Sequence, residues 1–323
     1  MTTGKVALVL GATGGIGGEV AAALSRNGWE VRALHRHVAA AQQRRGGKSL
    51  GISWIQGDAL RQADVVDAAR GVSVIVHAVN PPGYRNWAGL VLPMLSSTIA
   101  AARAAGARVL LPGTVYNYGP DSFPVLREDS PQNPQTRKGA IRAEMERRLR
   151  EVSGSGVRSL IVRAGDFFGP AAGNNWFSEG LVKAGRPVHA ITSPARRPRL
   201  GHSWAYLPDL ADTMVRLLER ESALGTFETF HFGGHWDADG SQMVEAIRRV
   251  VGNPRLPVRR FPWAAVAVTS PFVTLFREMM EMRYLWEQPL RLSNDRLVRL
   301  LGAEPHTPLD AAVGNTLRGL GCL

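Results

Sequence analysis

The sequence predicts an α/β protein built on a doubly wound parallel sheet. Short apolar runs alternate with helical patterns through the first half, and a glycine-rich turn joins the first run to the first helix. Composition agrees, because 323 residues with 45% hydrophobic and 20% charged residues are typical of a soluble globular chain. After Gly165, glycine, proline and tryptophan become frequent, which indicates a smaller, irregular C-terminal region.

Each predicted element follows from a local pattern. Apolar, β-branched runs predict strands at Lys5–Leu10, Glu30–Leu34, Ser53–Gln56, Ser73–Ala78, Arg108–Leu111, Arg158–Arg163 and Thr226–Phe232. Helical periodicity or alternating charges predict helices at Gly17–Asn27, Trp87–Ala105, Lys138–Val152 and Leu207–Glu221. Strands and helices that alternate at this spacing form a parallel sheet covered on both faces.

The most informative motif is Gly11-Ala12-Thr13-Gly14-Gly15-Ile16-Gly17, which follows the first strand and opens the first helix. Its glycines permit a tight turn, close approach of a pyrophosphate, and close packing of helix on strand. Amides at a helix N-terminus favour bound phosphate. We therefore predict a dinucleotide-binding (Rossmann) domain over 1–165, with 203–232 packing back onto it. Residues 166–202 and 233–323 are the predicted substrate-binding region.

The end of the second strand predicts which dinucleotide binds. Residues 31–37 contain no acid where NAD-binding proteins carry one for the ribose 2′-hydroxyl. Arg36 would instead pair with the 2′-phosphate of NADP, a group that a carboxylate would repel. The alternative is that Arg36 is simply solvated. We predict NADP as the cofactor, in preference to NAD.

Six motifs follow one another along the chain: the glycine loop and the segments Gln56–Asp58, His77–Asn80, Leu111–Gly119, Val162–Pro170 and Trp204–Ala211. Together they resemble the motifs of the extended short-chain dehydrogenases/reductases, in the branch of the NAD-dependent epimerases and dehydratases. The resemblance implies nicotinamide-dependent chemistry. By position it also implies cofactor contacts from Asp58, Ala59, Ala78, Asn80 and Arg163.

The catalytic signature of that family, Tyr-x-x-x-Lys, occurs nowhere in this sequence. The tyrosine position falls on Thr136 and the lysine position on Ala140, which removes the usual acid–base pair. The family's catalytic serine or threonine falls on Thr114, which would orient the reacting oxygen. Tyr116 is a candidate replacement acid or part of a pocket wall. Lys138 would act from a shifted register, or it is a solvated lysine at the start of a helix.

Aromatic residues concentrate in the C-terminal half. Most are expected to fill a core, whereas Trp176 and Trp204 are expected to line the pocket of a small-molecule substrate. His231 and His235 flank two glycines and cannot share a helix face as a zinc-binding histidine pair does, so no metal is predicted. A single cysteine, Cys322, excludes an internal disulfide framework.

The net charge of +12 comes mainly from arginine, because only four of the 39 basic residues are lysine. These arginines suit an anionic ligand but are spread along the chain without a nucleic-acid module, so nucleic acid is not an expected partner. The apolar runs Val6–Leu10 and Phe261–Phe276 are too short or too interrupted by proline to cross a bilayer. We expect a cytoplasmic protein without a membrane partner. The sequence leaves the choice between a monomer and a homodimer open.

These observations predict an atypical short-chain dehydrogenase/reductase, an NADP-dependent oxidoreductase acting on a small organic substrate. Two alternatives stay open. One is a non-catalytic NAD(P)-binding sensor or regulatory protein. The other is a sugar-nucleotide epimerase or dehydratase, although such chemistry depends on the missing tyrosine.

Overall fold

The computed structural model describes residues 4–44, 51–81, 86–173, 175–195 and 199–323. The chain divides into two compact units. The first comprises Met1–Thr114, Ala140–Arg163 and Ala211–Phe230, and the second comprises Val115–Gly139, Ala164–Leu210 and His231–Leu323. The units are of nearly equal length, whereas the sequence suggested a smaller C-terminal region. The second unit also includes 115–139, which the sequence prediction had left in the first.

The strands, in chain order, are β1 (Val6–Leu10), β2 (Glu30–His35), β3 (Ile52–Gln56), β4 (Val74–His77), β5 (Arg108–Gly113), β6 (Val125–Leu126), β7 (Ser159–Arg163), β8 (Asp166–Phe168), β9 (Ile191–Ser193), β10 (His202–Tyr206), β11 (Phe227–His231), β12 (His235–Asp237), β13 (Val258–Arg260) and β14 (Arg291–Leu292). The helices are α1 (Gly15–Arg26), α2 (Val38–Arg44), α3 (Gln62–Ala68), α4 (Trp87–Ala105), α5 (Arg137–Ser153), α6 (Leu207–Leu218), α7 (Gln242–Val251), α8 (Trp263–Thr269), α9 (Thr274–Glu281), α10 (Asp295–Leu301) and α11 (Leu309–Gly319). Within the described ranges, no helix is both long enough and apolar enough to cross a membrane.

The first unit is built on a seven-stranded parallel sheet with the strand order β11-β7-β5-β4-β1-β2-β3. In register, Leu10 at the end of β1 lies beside Leu34 of β2 and His77 of β4. The strand order reverses between β1 and β4, and doubly wound sheets bind ligands at this switch point, outside the carboxyl ends of the strands. The predicted doubly wound parallel sheet is confirmed.

The burial of the strands of the first unit explains why they could be predicted from the sequence. Strands β4, β5 and β7 are buried at every residue, and β1 is buried at all but its first. A parallel strand covered on both faces must be apolar nearly throughout. Helix α4 begins and ends where the sequence predicts, because Gly106 closes it with a φ of +65°, a left-handed conformation that favours glycine.

The second unit contains a three-stranded sheet in which β10 is central, parallel to β8 and antiparallel to β12. Two further strand pairs join distant segments of the chain, β9 with β13 and β6 with β14. The pairing of β6 with β14 explains why 115–139 belongs to this unit. Such a long-range pairing leaves no local pattern, so the sequence could not predict it.

Candidate functional site

The glycine-rich loop between β1 and α1 packs backbone to backbone against the end of β4. Gly11 has a φ of +92°, and a Cβ there would lie 2.4 Å from the carbonyl oxygen of Ala78. A Cβ on Gly17, in the first turn of α1, would lie 2.3 Å from the carbonyl oxygen of Gly11. Only glycine fits at either position. The loop therefore has the close-packed geometry that a dinucleotide pyrophosphate requires.

Helix α1 begins at Gly15, just after this turn. The Gly14 amide donates to the Gly11 carbonyl at 2.9 Å, and the Gly18 amide donates to the Gly14 carbonyl at 2.9 Å. The first turn of α1 carries no acidic residue, and no side chain caps it within the described residues. Thr13 in the glycine loop and Ile16 in the first turn of α1 are both half-buried. The end of α1 is thus suited to an anion, because its backbone amides and dipole both favour negative charge.

Arg36 is exposed directly after β2. The backbone N–H of His37 donates to Nδ1 of His35 at 3.0 Å, which closes a tight turn around Arg36. The His35 imidazole also meets Trp54 of β3 edge to face, with 6.2 Å between ring centroids. These contacts hold the backbone that carries Arg36, while its guanidinium stays accessible.

The turns after β3 and β4 carry further residues for which the family resemblance implied cofactor contacts. Oδ1 of Asp58 accepts a hydrogen bond from the Leu60 amide at 3.0 Å, and Ala59 lies half-buried between them. Oδ1 of Asn80 accepts a hydrogen bond from Nε1 of Trp87 at 3.2 Å. Both turns are therefore ordered by side-chain hydrogen bonds at the carboxyl edge of the sheet.

His77, the last residue of β4, is a buried group that sequence reasoning did not single out as a site residue. Its Nδ1 lies 2.7 Å from the hydroxyl of Thr98, which itself donates to the carbonyl of Met94. The hydroxyl proton is engaged, so the Nδ1–H of His77 donates to the hydroxyl oxygen. Burial, with a smaller contribution from Arg142, lowers the pKa of His77 to about 3. A neutral imidazole therefore lies directly before Ala78.

Arg163, for which the family resemblance implied a cofactor contact, is buried at the end of β7. It is 1% exposed, and its guanidinium lies 2.6 Å from a carboxylate oxygen of Glu146. A Cβ on Gly113 of β5 would lie 2.7 Å from Cγ of Arg163, so the neighbouring strand packs tightly over this side chain. The charged end of Arg163 forms a buried ion pair, and the resemblance alone did not show this partner.

The three predicted catalytic residues fall in different units. Thr114 follows β5 and ends a segment of the first unit, whereas Tyr116 and Lys138 belong to the second. Lys138 is 5% exposed, and its Nζ lies 2.7 Å from a carboxylate oxygen of Glu278. Its backbone N–H donates to Glu281 at 2.8 Å. The alternative of a solvated Lys138 is therefore wrong. Tyr116 is half-buried against the core of the second unit.

Trp176 and Trp204, the predicted pocket residues, both lie in an aromatic cluster of the second unit. Trp176 is 9% exposed and lies 5.7 Å from Trp263 and 5.4 Å from Trp286 between ring centroids. Trp204 packs 5.8 Å from Trp286 and also lines a cavity of about 250 Å³. The structure thus shows core packing for both residues and a cavity at Trp204.

Two histidines that the sequence had weighed as metal ligands take separate partners. Nε2 of His231 lies 3.0 Å from the Tyr118 hydroxyl. His235 packs against His306 in the wall of the cavity, and burial, with a smaller contribution from His306, lowers the pKa of His235 to about 4. Among the residues that the structure describes, no group of three or more metal-ligating side chains comes together.

The second unit also contains a buried pair of hydrogen-bonded side chains that sequence reasoning missed. Nε2 of His202 lies 2.8 Å from a carboxylate oxygen of Asp166, and both residues are less than a tenth exposed. The two residues are 36 positions apart and meet only because β8 runs parallel to β10. No signal in the sequence could have paired them.

Comparison with known proteins places this geometry in a family. The NAD(P)H-binding family matches residues 11–181, which is more than half of the chain and includes the glycine loop. A 3-diazoavenalumate denitrifying reductase from a Streptomyces species is 26% identical over 275 residues, covering 80% of this chain and 84% of that protein.

Solved structures share the fold over nearly the whole chain. A UDP-glucose-4-epimerase from Stenotrophomonas maltophila, solved with bound NAD, is 15% identical with a TM-score of 0.76, covering 98% of this chain and 97% of that one. A dTDP-glucose 4,6-dehydratase from Streptomyces venezuelae, also solved with NAD, is 18% identical with a TM-score of 0.74, covering 97% and 96%. Identities this low show the fold alone. The family match, which spans the phosphate loop and more than half of the chain, shows the family as well. This chain therefore belongs to the NAD(P)H-binding family and has the fold of the extended short-chain dehydrogenases/reductases.

Proposed function

We propose that the chain is an NADP-dependent oxidoreductase that transfers hydride between the nicotinamide and a small organic substrate. The observation that carries this proposal is the packing of the glycine loop. Gly11 and Gly17 both lie so close to Ala78 that only glycine fits at either position. The glycine loop and the turns at Arg36 and Asp58 would hold the dinucleotide. When bound, NADPH supplies the hydride.

Arg36 supports NADP as the cofactor. It is exposed at the end of β2, and the turn that carries it contains two histidines and no carboxylate. A guanidinium can donate two parallel hydrogen bonds to a phosphate, and such charge-assisted bonds are stronger than neutral ones. The NAD-bound structural neighbours do not bear on this choice, because their likeness extends only to the fold.

The missing Tyr-x-x-x-Lys signature bears on the substrate. Carbonyl reduction produces an alkoxide that needs a proton, which an enzyme supplies from a positioned acid. A diazonium group that accepts hydride becomes R–N=N–H, which then releases N₂ while its hydrogen passes to carbon to form R–H. This reaction needs no proton from the protein. The relative named as a denitrifying reductase of a diazo compound therefore supports a diazo group as the hydride acceptor here.

The three side chains that the sequence predicts as catalytic would have different roles in this reaction. Thr114 follows β5 at the carboxyl edge of the sheet, where it is proposed to orient the reacting group. Tyr116 is proposed to contact the substrate, as an acid or as part of a pocket wall. Lys138 is occupied by its ion pair with Glu278, which supports a structural role over the catalytic one.

The direct test follows the loss of NADPH absorbance with an aryl diazonium salt, an aldehyde and an enone. Each reaction is compared with a protein-free control, because diazonium salts react with NADPH unaided. NADPH deuterated at C4 should deliver deuterium to the carbon that loses nitrogen. Tight NADPH binding with no turnover of any substrate would favour the sensor alternative instead. Epimerisation of UDP-glucose without net NADPH consumption would favour the sugar-nucleotide alternative.

A further inference from the structure

Arg142 of helix α5 lies beside the turn that follows β4. Cζ of its guanidinium is 5.3 Å from the centroid of the Trp87 ring, which is within the range of a cation–π contact. Nε1 of Trp87 in turn donates a hydrogen bond to Oδ1 of Asn80 in that turn, at 3.2 Å. Burial, and to a smaller extent the charge of Arg142, lowers the pKa of His77, the last residue of β4. The positive charge of Arg142 is therefore near the carboxyl end of β4.

This charge is held in place and stays within reach of a ligand. Trp87 is 7% exposed, so the ring against which Arg142 packs is fixed in the core of the first unit. Arg142 itself is half-buried, and Asn80 is exposed. A guanidinium stays protonated in proteins and has only hydrogen-bond donors, so a ligand bound to it must supply acceptors. Arg142 is therefore suited to phosphate or hydroxyl oxygens.

The strand order indicates which part of a dinucleotide would meet Arg142. In the sheet of the first unit, β4 and β2 lie on opposite sides of β1. Arg36 after β2 is proposed to bind the 2′-phosphate on the adenosine ribose, and the glycine loop after β1 would hold the pyrophosphate. Ala78, directly after β4, packs against Gly11 of that loop. A dinucleotide that extends from β2 across β1 therefore has its nicotinamide half at the end of β4.

We propose that Arg142 is a cofactor-binding residue, whose guanidinium donates hydrogen bonds to the phosphate and ribose oxygens of the nicotinamide half of NADP. Trp87 is the positioning residue, because its ring holds the guanidinium at the end of β4. This inference rests on the proposed function, since it concerns the cofactor of the same oxidoreductase. Arg36 binds the adenosine half, which distinguishes NADP from NAD, and Arg142 binds the half that the two cofactors share.

The alternative is a purely structural arginine, which stabilises the fold through Trp87 alone. Arg150, further along α5, provides the comparison, because its Cζ lies 4.2 Å from the centroid of the Phe227 ring. Phe227 is the first residue of β11, so this contact lies at the amino end of a strand of the same sheet, away from the edge where ligands bind. Arg150→Gln is therefore the matched control. It removes a cation–π contact on the same helix but no proposed cofactor contact.

The test measures ligand binding by calorimetry in wild type, Arg142→Gln and Arg150→Gln. Arg142→Gln should weaken the binding of NADPH and of NADH by the same factor, about tenfold to a hundredfold, because a charged hydrogen bond to their shared half is lost. Adenosine 2′,5′-bisphosphate lacks the nicotinamide half and should bind this variant as tightly as it binds wild type. Arg150→Gln should bind all three ligands with wild-type affinity.

Arg36→Ala should show the reverse pattern. This variant should weaken the binding of NADPH and of the bisphosphate, which both carry the 2′-phosphate, and leave the binding of NADH nearly unchanged. The two arginine variants therefore separate the two halves of the cofactor by binding alone.

Thermal unfolding without ligand shows whether each variant is folded. Arg142→Lys keeps the positive charge but loses the planar fork, so it should weaken NADPH and NADH binding by a smaller factor, about threefold to tenfold. If Arg142→Gln does not fold, Arg142→Lys takes its place in the comparison. Three results would overturn the proposal: wild-type affinity for NADPH and NADH in the folded Arg142 variant, equal losses of affinity in that variant and Arg150→Gln, or a loss for the bisphosphate as large as that for NADPH.

These outcomes do not depend on turnover. Tight binding of NADPH without reduction of any substrate would contradict the oxidoreductase proposal and leave the contact of Arg142 with the cofactor open to the same measurements. A wild-type protein that binds neither NADPH nor NADH would overturn both proposals.

Discussion

Gly17→Ala tests the packing of the phosphate loop. The added Cβ would lie 2.3 Å from the Gly11 carbonyl oxygen and 3.1 Å from Cβ of Ala78. Real Cβ atoms essentially never approach another atom within 3.0 Å, so the backbone of the loop or of α1 must move by about 0.7 Å. Overpacking of this kind costs roughly 1–3 kcal/mol. We expect a value of about 2–3 kcal/mol, because the obstacle is backbone and not a flexible side chain.

This cost should appear in two measurements. Thermal unfolding followed by circular dichroism should show Tm lowered by roughly 4–12 °C, given about 2–4 °C per kcal/mol in domains of about 150–250 residues. NADPH binding, followed by fluorescence titration, should weaken at least about tenfold, because the amides at the start of α1 move with the loop. Gly173→Ala is the matched control, since a Cβ there would have nothing within 4 Å.

The reasoning would be refuted by a Gly17→Ala protein that unfolds with wild type and binds NADPH with the same Kd. Equal losses of thermal stability and of NADPH affinity in Gly17→Ala and Gly173→Ala would also contradict the reasoning. In that case a general sensitivity to alanine, and not the contact with Gly11, would explain the result.

Three further predictions follow from single residues. Arg36→Ala should weaken NADPH binding about tenfold to a hundredfold and change NADH binding by no more than a few-fold from wild type, as measured by fluorescence titration. Equal losses of affinity for both cofactors would show that Arg36 does not contact the 2′-phosphate. The pKa of His77 is about 3 in the folded protein and 6.5 in the unfolded one, so the unfolded chain binds the proton first and stability falls as pH drops from 6.5 towards 3. Urea unfolding should show a loss of about 2 kcal/mol from this group between pH 7 and pH 5, which His77→Phe should lack. Glu146→Gln should destabilise the protein by about 3–5 kcal/mol, because it removes the carboxylate charge that faces the buried guanidinium of Arg163, whereas Asp310→Asn at an exposed ion pair should change stability little. Similar unfolding curves for the two variants would contradict this.

The first unit was largely predictable because its signals are local. A parallel strand buried on both faces is a nearly continuous apolar run, as in β1 and β4. The glycine at the end of α4 marks its boundary without reference to the rest of the chain. The short helices α2 and α3 were not predicted, because seven residues are too few to establish a periodicity.

The second unit was much less predictable. Strands β8, β9, β12 and β13 have three residues each, and β6 and β14 have two. Runs this short carry no alternation that distinguishes a strand from a loop. They exist because of the partners they pair with, and those partners are distant in the sequence.

For the candidate site, the sequence by itself determined the α/β class, the position of the glycine loop, the basic residue after β2 and the lack of Tyr-x-x-x-Lys. These follow from residue types at fixed local spacing. Only the tertiary structure decided which buried polar side chains meet: Arg163 with Glu146, Lys138 with Glu278, and His202 with Asp166. Each pair depends on which strands and helices become neighbours. Which strands and helices become neighbours is determined by the burial of apolar surface across the whole chain, so a local sequence pattern cannot predict it.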